Sequence, residues 1–583
     1  MTERQEEPDE IFGDPPEDGS AEATERPEDS NGMLRNSAVM AAGTVASRIT
    51  GVGRDIAMVA AIGFGTLSDA YSLGNSLPNI IYILIVGGAL NAVFVPQLVR
   101  HIKNDADRGD GYADRLLTLA GMILLLLSVA SVLAAPLIVS LYAPDNYSPR
   151  DVEVAVAFAR FCLPQIFFYG AYTMLSQVLN SRGHFAMPMF APIVNNLLVI
   201  GMAVGFLFVA GDAVTIDNVT SAQLVWLGVG TTLGVVLQAI VLFPVLKRVG
   251  YRYRPAFDYR GYGLVKTATL AGWTVALVLV NQLAFIIITR LATSANVTAS
   301  AAGVVEQGLT TYQKAYLVFI LPHSVITVSI VTALLPRLSS SATEGRLGDV
   351  ATGVSNGARL IAALIVPCAA MLVAFGSTIT TVLFSFGAGS GAAATYTGIV
   401  VAGFALGLLP FSIFYILLRG WYSVEDTVRP FLVTVIFNVV MLAITIPLYA
   451  AVPAGLKVLS LAVSYALAYW ITMAIAWVWL SRKLGGLNTR GTVGVVLRIL
   501  IAGAVAGAMG FGAGYLVRLG FSAITGSDSG ASLVGHQVEA LATLVVGGIV
   551  LVPVYLAMCR LLRVAELDEV VAMVRGRIPG LRR

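Results

Sequence analysis

Residues 116–135 read LLTLAGMILLLLSVASVLAA, an apolar run of 20 residues without a charged side chain. A membrane hydrocarbon core about 30 Å thick is crossed by about 20 residues of α-helix. A second run, LATLVVGGIVLVPVYLA at 541–557, has the same character. Neither run alternates polar and apolar residues, as the strands of a membrane barrel do. Both segments are therefore predicted to be transmembrane α-helices.

Composition extends this prediction to the whole chain. Of its 583 residues, 57% are hydrophobic and 12% are charged, and the mean hydropathy is +0.80, which lies outside the soluble globular range. The pattern predicts an all-α multi-pass membrane protein with about fourteen transmembrane helices. The predicted spans are 36–62, 71–100, 116–142, 151–180, 186–210, 221–246, 267–291, 304–335, 359–384, 394–421, 431–450, 457–480, 493–517 and 538–559.

Positive charge alternates from one loop to the next, which predicts the orientation in the membrane. By the positive-inside rule, loops rich in Lys and Arg are cytoplasmic. Both termini are then cytoplasmic, and an even number of spans satisfies this. The basic loops are 100–115, 247–266, 337–359 and 482–498, whereas the loops at 63–70, 211–220 and 384–394 have no Lys or Arg.

The chain also repeats itself. A Leu-Pro pair opens the second and eighth spans at Pro78 and Pro322, 244 residues apart, and Asn196 and Asn438 follow prolines with an offset of 242 residues. Two landmarks with nearly one offset predict two pseudo-symmetric six-helix lobes, arranged as parallel repeats, and two further C-terminal helices. The predicted units are an N-lobe at 33–250, a C-lobe at 251–485 and two extra spans at 486–563.

The two ends of the chain have a different composition. Residues 1–32 contain twelve Asp or Glu and two Arg, so this segment carries a net charge of −10. With little apolar surface to bury, it is predicted to be a disordered acidic cytoplasmic tail. Residues 564–583 form a basic cytoplasmic C-terminus, and both ends are candidate contacts for anionic lipid or partner proteins.

Charged residues inside predicted spans are candidate functional residues, because charge at membrane depth is costly. The first span contains SRITGVGRD at 47–55. On a regular helix Arg48 and Asp55 share a face and Arg54 lies about 120° away, although Gly51 and Gly53 could bend the helix toward one cavity. Either Arg54 pairs with Asp55 while Arg48 extends to the interface, or the two arginines form a net positive site. Such a site suits an anion, and guanidinium groups bind phosphate oxygens bidentately.

Four further charges are candidates: three lie near the outer ends of spans, and Lys314 lies within the otherwise apolar eighth span. Asp69 ends the first hairpin, as a helix cap or as part of a gate. Lys314 is a candidate cavity ligand, or it pairs with Glu306, eight residues earlier. Arg290 and Glu306 flank an outside loop, where they could form a gate or an ion pair.

Several other chemistries are not indicated. No Lys follows a Gly, so a phosphate-binding Gly-Lys loop is absent, and the four histidines are too scattered for a metal site. The three cysteines have the pattern of small core residues. No enzymatic activity, cofactor, metal or nucleic-acid partner is expected. Cycling of a transporter would then depend on the membrane potential or on a monovalent ion such as sodium.

Short motifs follow one another in a fixed order over roughly residues 36–480. They are SRITGVGRD at 47–55, SDA at 68–70, LPN at 77–79, FVP at 94–96, FAP at 190–192, LLPRLS at 334–339, LFSFG at 383–387 and GWYS at 420–423. Together these motifs resemble the MurJ/MviN family of lipid II flippases.

This resemblance implies a V-shaped, two-lobed transporter of the multidrug/oligosaccharidyl-lipid/polysaccharide exporter superfamily. Its substrate would be lipid II, an undecaprenyl diphosphate-linked disaccharide-pentapeptide, moved to the outer leaflet of a bacterial plasma membrane during peptidoglycan synthesis. Arg48, Arg54 and Asp69 carry over as site residues. Many relatives have two Arg and a Glu where this chain has Tyr82, Ile83 and Gly87, and an Arg of the eighth span aligns near Leu317, with Lys314 as a possible replacement.

Three alternatives stay open at this point. A polysaccharide-lipid exporter of the same superfamily handles the same diphosphate. A drug exporter for cations is disfavoured, since it would line its cavity with carboxylates. A non-transporting scaffold for cell-wall synthesis proteins is the alternative from another class.

Overall fold

A computed structural model describes residues 27–84, 109–210, 214–258, 272–389, 391–525 and 533–567, and these ranges contain helices and loops but no strand. In a bilayer a helix satisfies its own backbone hydrogen bonds, which explains this uniform architecture. The helices are α1 Pro27–Ile62, α2 Thr66–Tyr82, α3 Asp110–Leu133, α4 Ala135–Tyr142, α5 Pro149–Cys162, α6 Gln165–Ser181, α7 Ala186–Ala210, α8 Ser221–Ile240, α9 Phe243–Arg248, α10 Gly272–Ala301, α11 Leu309–Pro322, α12 Val328–Thr343, α13 Leu347–Phe384, α14 Gly391–Ala405, α15 Leu408–Ser423, α16 Val428–Ala451, α17 Lys457–Lys483, α18 Thr489–Thr525 and α19 Leu533–Leu561. A π-helical turn at His323–Thr327 joins α11 to α12.

The helical class is confirmed, but the count of fourteen spans is not. Among the described residues, eleven helical segments are long and apolar enough to cross a membrane, and the bent pair α14–α15 makes a twelfth. The two predicted spans that are not among these twelve are the first two, 36–62 and 71–100. Helix α1 carries Arg48, Arg54 and Asp55 in its second half, and the second predicted span continues beyond residue 84 into residues outside the described ranges.

The predicted terminal tails lie largely outside the described residues. Helix α1 begins at Pro27, so it includes the last residues of the segment 1–32, and the described chain ends at residue 567. The predicted boundary at 250–251 falls after α9, and the one at 485–486 falls between α17 and α18.

Two lobes, each built around its own main hydrophobic core, repeat the same packing. In the N-lobe, α1 to α9, helix α7 packs against α1 and α8, and α8 packs against α5 and α6. In the C-lobe, α10 to α17, helix α16 packs against α10 and α17, and α17 packs against α14 and α15. The two-lobed architecture predicted from the sequence repeat is therefore confirmed.

Each lobe breaks its fourth span at an equivalent position. The break follows Cys162 in the N-lobe, at Leu163, and follows Ala405 in the C-lobe, at Leu406, an offset of 243 residues. The C-lobe pair is bent by 46°. Side chains bind backbone carbonyls near both breaks, since Thr232 Oγ1 donates to the Phe161 carbonyl at 2.7 Å and Trp470 Nε1 donates to the Leu406 carbonyl at 3.0 Å.

The two C-terminal helices pack on the C-lobe. Helices α18 and α19 contact each other and α13. Gly510 and Gly514, four residues apart on α18, and Gly547 on α19 leave room for the buried ring of Phe375. Small residues at this spacing allow close helix packing inside a membrane.

Candidate functional site

Two cavities lie side by side between the lobes. An N-lobe cavity of about 340 Å³ is lined mainly by α1, α2, α7 and α8. A C-lobe cavity of about 550 Å³ is lined mainly by α10, α11, α16 and α17. Four residues line both cavities, so the two spaces adjoin: Asp55, Phe285, Gln313 and Lys314.

The N-lobe cavity is polar. Arg54 points into it, with Nη2 3.6 Å from Asp55 Oδ2 and Nη1 3.3 Å from Asn196 Oδ1. Amides and hydroxyls supply much of the remaining wall, and the buried Asn75 Oδ1 has no hydrogen-bond partner among the described residues. The uncharged polar lining residues are Tyr71, Ser72, Asn75, Ser76, Asn79, Tyr169, Asn195, Thr231 and Gln313.

Asp55 joins the lobes through a salt bridge. Its Oδ1 accepts a hydrogen bond from Lys314 Nζ, and both side chains are largely buried, 14% and 12% exposed. Lys314 therefore pairs with Asp55 and not with Glu306. Glu306 lies in the loop before α11, which begins at Leu309, so it does not share a helical face with Lys314. Two cations and one carboxylate leave the described charges of the two cavities net positive.

Arg48 lies apart from this cluster. Helix α1 is continuous, so Arg48, seven residues before Asp55, lies about 10 Å from it along the helix axis. Its exposed guanidinium donates to Ser324 Oγ near the π-helical turn, and it lines neither cavity. The two arginines of SRITGVGRD therefore do not face one cavity in this conformation.

Asp69 contacts the other lobe at the hairpin end of the bundle, where α1 turns into α2. It is fully buried, and its carboxylate accepts hydrogen bonds from the Thr310 backbone N–H at 2.8 Å and from Asn296 Nδ2 at 3.0 Å. Thr310 is in the first turn of α11, so a carboxylate from one lobe caps a helix of the other. The hydroxyls of Ser68 and Ser72 each lie 3.0 Å from Thr310 Oγ1.

Arg290 and Glu306 also lie toward the hairpin end but do not pair with each other. Arg290 Nη2 contacts Asp145 Oδ1 of the N-lobe at 2.6 Å. Glu306 lies near Gly65. Glu306 is exposed, and partial desolvation of its carboxyl raises the pKa.

The sequence prediction missed the aromatic wall of the C-lobe cavity. Tyr312, Tyr316, Phe437 and Tyr465 line it together with Phe285. The available signal was the spacing of Tyr312 and Tyr316, four residues apart on either side of Lys314, which places their rings on one helical face.

Two helical lobes that enclose a charged cavity at membrane depth define a transporter of the alternating-access class. The family model described as lipid II flippase MurJ matches residues 58–524, and the chain belongs to this family. The family is one of bacterial inner-membrane flippases.

Curated relatives carry the same description. A probable lipid II flippase MurJ of Rhizobium tropici is 28% identical over 449 residues, covering 76% of this chain and 79% of the relative. One of Vibrio cholerae is 25% identical over 485 residues, covering 81% of this chain and 87% of the relative. The lipid II flippase MurJ of Burkholderia cenocepacia is 28% identical over 394 residues, 66% of this chain and 72% of the relative.

Solved structures support the fold. A lipid II flippase MurJ in an inward closed conformation superimposes with a TM-score of 0.66 at 15% identity, covering 89% of this chain and 98% of that one. An inward-facing multidrug resistance MATE family transporter of the MOP superfamily superimposes with a TM-score of 0.57 at 16% identity, covering 75% and 94%.

Proposed function

We propose that this protein moves lipid II from the inner to the outer leaflet of the bacterial inner membrane by alternating access. The observation that carries the proposal is the Arg54–Asp55–Lys314 cluster in the cavity between the lobes of a chain from the MurJ family. A diphosphate that crossed hydrocarbon without a protein would face a large desolvation cost. Arg54 and Lys314 offset this cost by binding its oxygens, while the undecaprenyl tail stays in the bilayer.

The proposed orientation places the basic loops in the cytoplasm, following the positive-inside rule. The hairpin end then faces outward. Interlobe contacts at that end support an outward-closed state, since Ala388 N donates to the Ala60 carbonyl at 2.7 Å and Asp69 caps α11. In this state the diphosphate would enter from the cytoplasmic leaflet and meet Arg54 and Lys314. Arg48, which is closer to the cytoplasm, would guide the diphosphate inward.

Cycling needs an energy source. The membrane potential contributes about 2.3 kcal/mol per elementary charge per 100 mV, so it acts on any net charge that moves with the substrate. We propose that this potential, or a gradient of a monovalent cation such as sodium, returns the lobes to the inward-open state. Imposing each gradient separately on proteoliposomes distinguishes the two sources.

The direct test is the movement of labelled lipid II between leaflets of liposomes that contain only this protein. Wild type is expected to expose the headgroup, and the double variant Arg54→Gln/Lys314→Met to lose most of this activity. Arg419→Gln is the matched control, because Arg419 contacts Tyr415 and Tyr422 of its own helix and lines neither cavity.

The outcomes separate the competing functions. A folded double variant that flips lipid II as fast as wild type would refute the cavity role. A lipid-linked polysaccharide precursor that is moved faster than lipid II favours the polysaccharide exporter. A wild-type protein that moves neither lipid favours the scaffold, whose loss would disturb the recruitment of cell-wall synthesis proteins.

A further inference from the structure

The C-lobe cavity differs in chemistry from the N-lobe cavity that adjoins it. Its wall is built from aromatic rings on four different helices: Phe285 on α10, Tyr312 and Tyr316 on α11, Phe437 on α16 and Tyr465 on α17. Its volume of about 550 Å³ is within the range typical of small-molecule sites, about 300–1,000 Å³. The volume therefore admits a ligand of several rings.

These rings are held in place by one another. Tyr316 and Tyr465 pack edge-to-face with centroids 6.0 Å apart, and Phe437 and Tyr465 do so at 5.7 Å. Phe404 is fully buried behind the wall. Its ring centroid lies 5.2 Å from that of Tyr312 and 5.7 Å from that of Tyr316. Edge-to-face packing fixes ring orientation, so the rings that line the cavity are preorganised.

Carboxamides accompany the rings. Asn438 Nδ2 donates to Asn281 Oδ1 at 2.9 Å, and both residues line the cavity together with Gln313. An aromatic face beside amide donors and acceptors is suited to a pyranose ring, which presents C–H groups on its faces and hydroxyl or acetamido groups at its edge. A polyprenyl chain offers no hydrogen bond to an amide, so it does not account for three carboxamides in an otherwise aromatic wall.

The cavity also begins at the proposed diphosphate site. Lys314 and Asp55 line both cavities, and Gln313 lies beside them. In lipid II the first sugar is bonded directly to the diphosphate through its anomeric oxygen. A diphosphate bound to Arg54 and Lys314 would therefore place its first sugar next to the boundary between the two cavities.

We propose that the C-lobe cavity is the subsite for the amino-sugar rings of the lipid-linked disaccharide, with Tyr316 and Tyr312 stacking against them. This inference rests on the proposed function. It assigns substrate recognition to two kinds of surface, cations for the diphosphate and aromatic rings with amides for the sugars.

The test compares affinities for three lipids in nanodiscs that contain the full chain: lipid II, lipid II without its pentapeptide, and undecaprenyl diphosphate. Tyr316→Leu should weaken binding of both disaccharide lipids about tenfold, and leave binding of undecaprenyl diphosphate within about twofold of wild type. Tyr316→Phe should retain the wild-type ratio of affinities. Phe375→Leu is the packing control, because Phe375 packs against α18 and α19 and lines neither cavity, and it should lower the unfolding temperature without changing that ratio.

An equal loss of affinity for all three lipids in Tyr316→Leu would overturn the sugar subsite, since the ring would then serve packing or the lipid tail. Unchanged affinities would overturn it as well. If Tyr316→Leu does not fold, Tyr312→Leu gives the same comparison. A wild-type protein that binds none of the lipids refutes the proposed function itself, whereas a wild type that binds all three equally refutes only the subsite.

Discussion

At the scale of single residues, Asp55 lies where the proposed function places the substrate phosphates. Its carboxylate contacts Arg54 and Lys314 in the cavity, so an incoming diphosphate must compete with it for both cations. Asp55→Asn should therefore bind undecaprenyl diphosphate about tenfold more tightly than wild type. Without ligand, the variant should unfold at a lower temperature, because the largely buried Lys314 and the half-buried Arg54 lose their shared anion. Thermal unfolding with and without this lipid measures both effects.

The control for this variant is Asp145→Asn. Asp145 also pairs with an arginine of the other lobe, Arg290, but it is exposed and lies outside both cavities. Its replacement should leave the lipid affinity unchanged. Equal responses of Asp55→Asn and Asp145→Asn to the lipid would show that Asp55 does not compete with the phosphates.

Residue-level prediction from the sequence succeeded where the signal was local. Charges in an apolar helix identified Arg54, Asp55 and Lys314 as candidates, and all three line the cavities. The partner of Lys314 was not predictable, because Asp55 is 259 residues away in the chain and only the packing of the two lobes brings them together. The cap that Asp69 gives to α11 has the same origin, and the residues of this contact lie 241 apart.

At the scale of helices, α13 and α14 cross at two glycines. A Cβ at Gly398 would overlap the backbone of Gly376 and Ser377, so Gly398→Ala should destabilise the protein by about 1–3 kcal/mol. Gly201→Ala is the matched control, because open space surrounds Gly201 in α7. The control should be neutral or stabilising by about 0.5–1 kcal/mol. Denaturation of both variants in detergent checks the prediction. It fails if the two variants have the same free energy of unfolding.

The break in the C-lobe gives a second prediction for the helices. The Trp470 indole N–H binds the Leu406 carbonyl at 3.0 Å, close to where α14 ends. Trp470→Phe should cost about 1–3 kcal/mol, since that carbonyl lies where water is scarce. Trp226→Phe removes a similar bond, from Trp226 Nε1 to the Met202 carbonyl at 3.1 Å, but Met202 lies inside the regular helix α7. If Trp226→Phe lost more stability than Trp470→Phe, the proposed role of the break would be wrong.

The sequence predicted the helices well and their interruptions poorly. Continuous apolar composition predicted one span at 394–421, where the structure has two helices bent at Leu406 and Gly407. The break precedes Pro410, in the first turn of α15, which has no N–H for the Leu406 carbonyl four residues earlier. It accompanies the close approach of Gly407 to Ala466 and the bond from Trp470, both of which involve α17. A contact between distant helices leaves no periodic signal in either segment.

At the scale of the whole molecule, the repeat explains why two lobes could be predicted without any structure. Offsets of 242 and 244 residues in the sequence match the offset of 243 between the two helix breaks. The equivalent asparagines also have equivalent contacts. Asn196 Nδ2 binds α1 at Thr50 Oγ1, and Asn438 Nδ2 binds α10 at Asn281 Oδ1, so each joins the fifth span of its lobe to the first. The duplicated scaffold nevertheless carries different cavity walls, polar in the N-lobe and aromatic in the C-lobe.

Closure of the hairpin end should depend on Asp69 more than on its neighbours. Its carboxylate accepts two hydrogen bonds from the C-lobe, and such bonds to a charged group contribute about 1.5–3 kcal/mol each. Asp69→Ala should therefore increase the population that is open at this end by at least about tenfold. Spin labels on cysteines at the exposed Ser221 and Val304, one in each lobe, should then report a longer distance in addition to the short one. Ser72→Ala, which removes one hydroxyl from Thr310, should shift the distribution less, and an unchanged distribution in Asp69→Ala would show that other contacts hold the lobes closed.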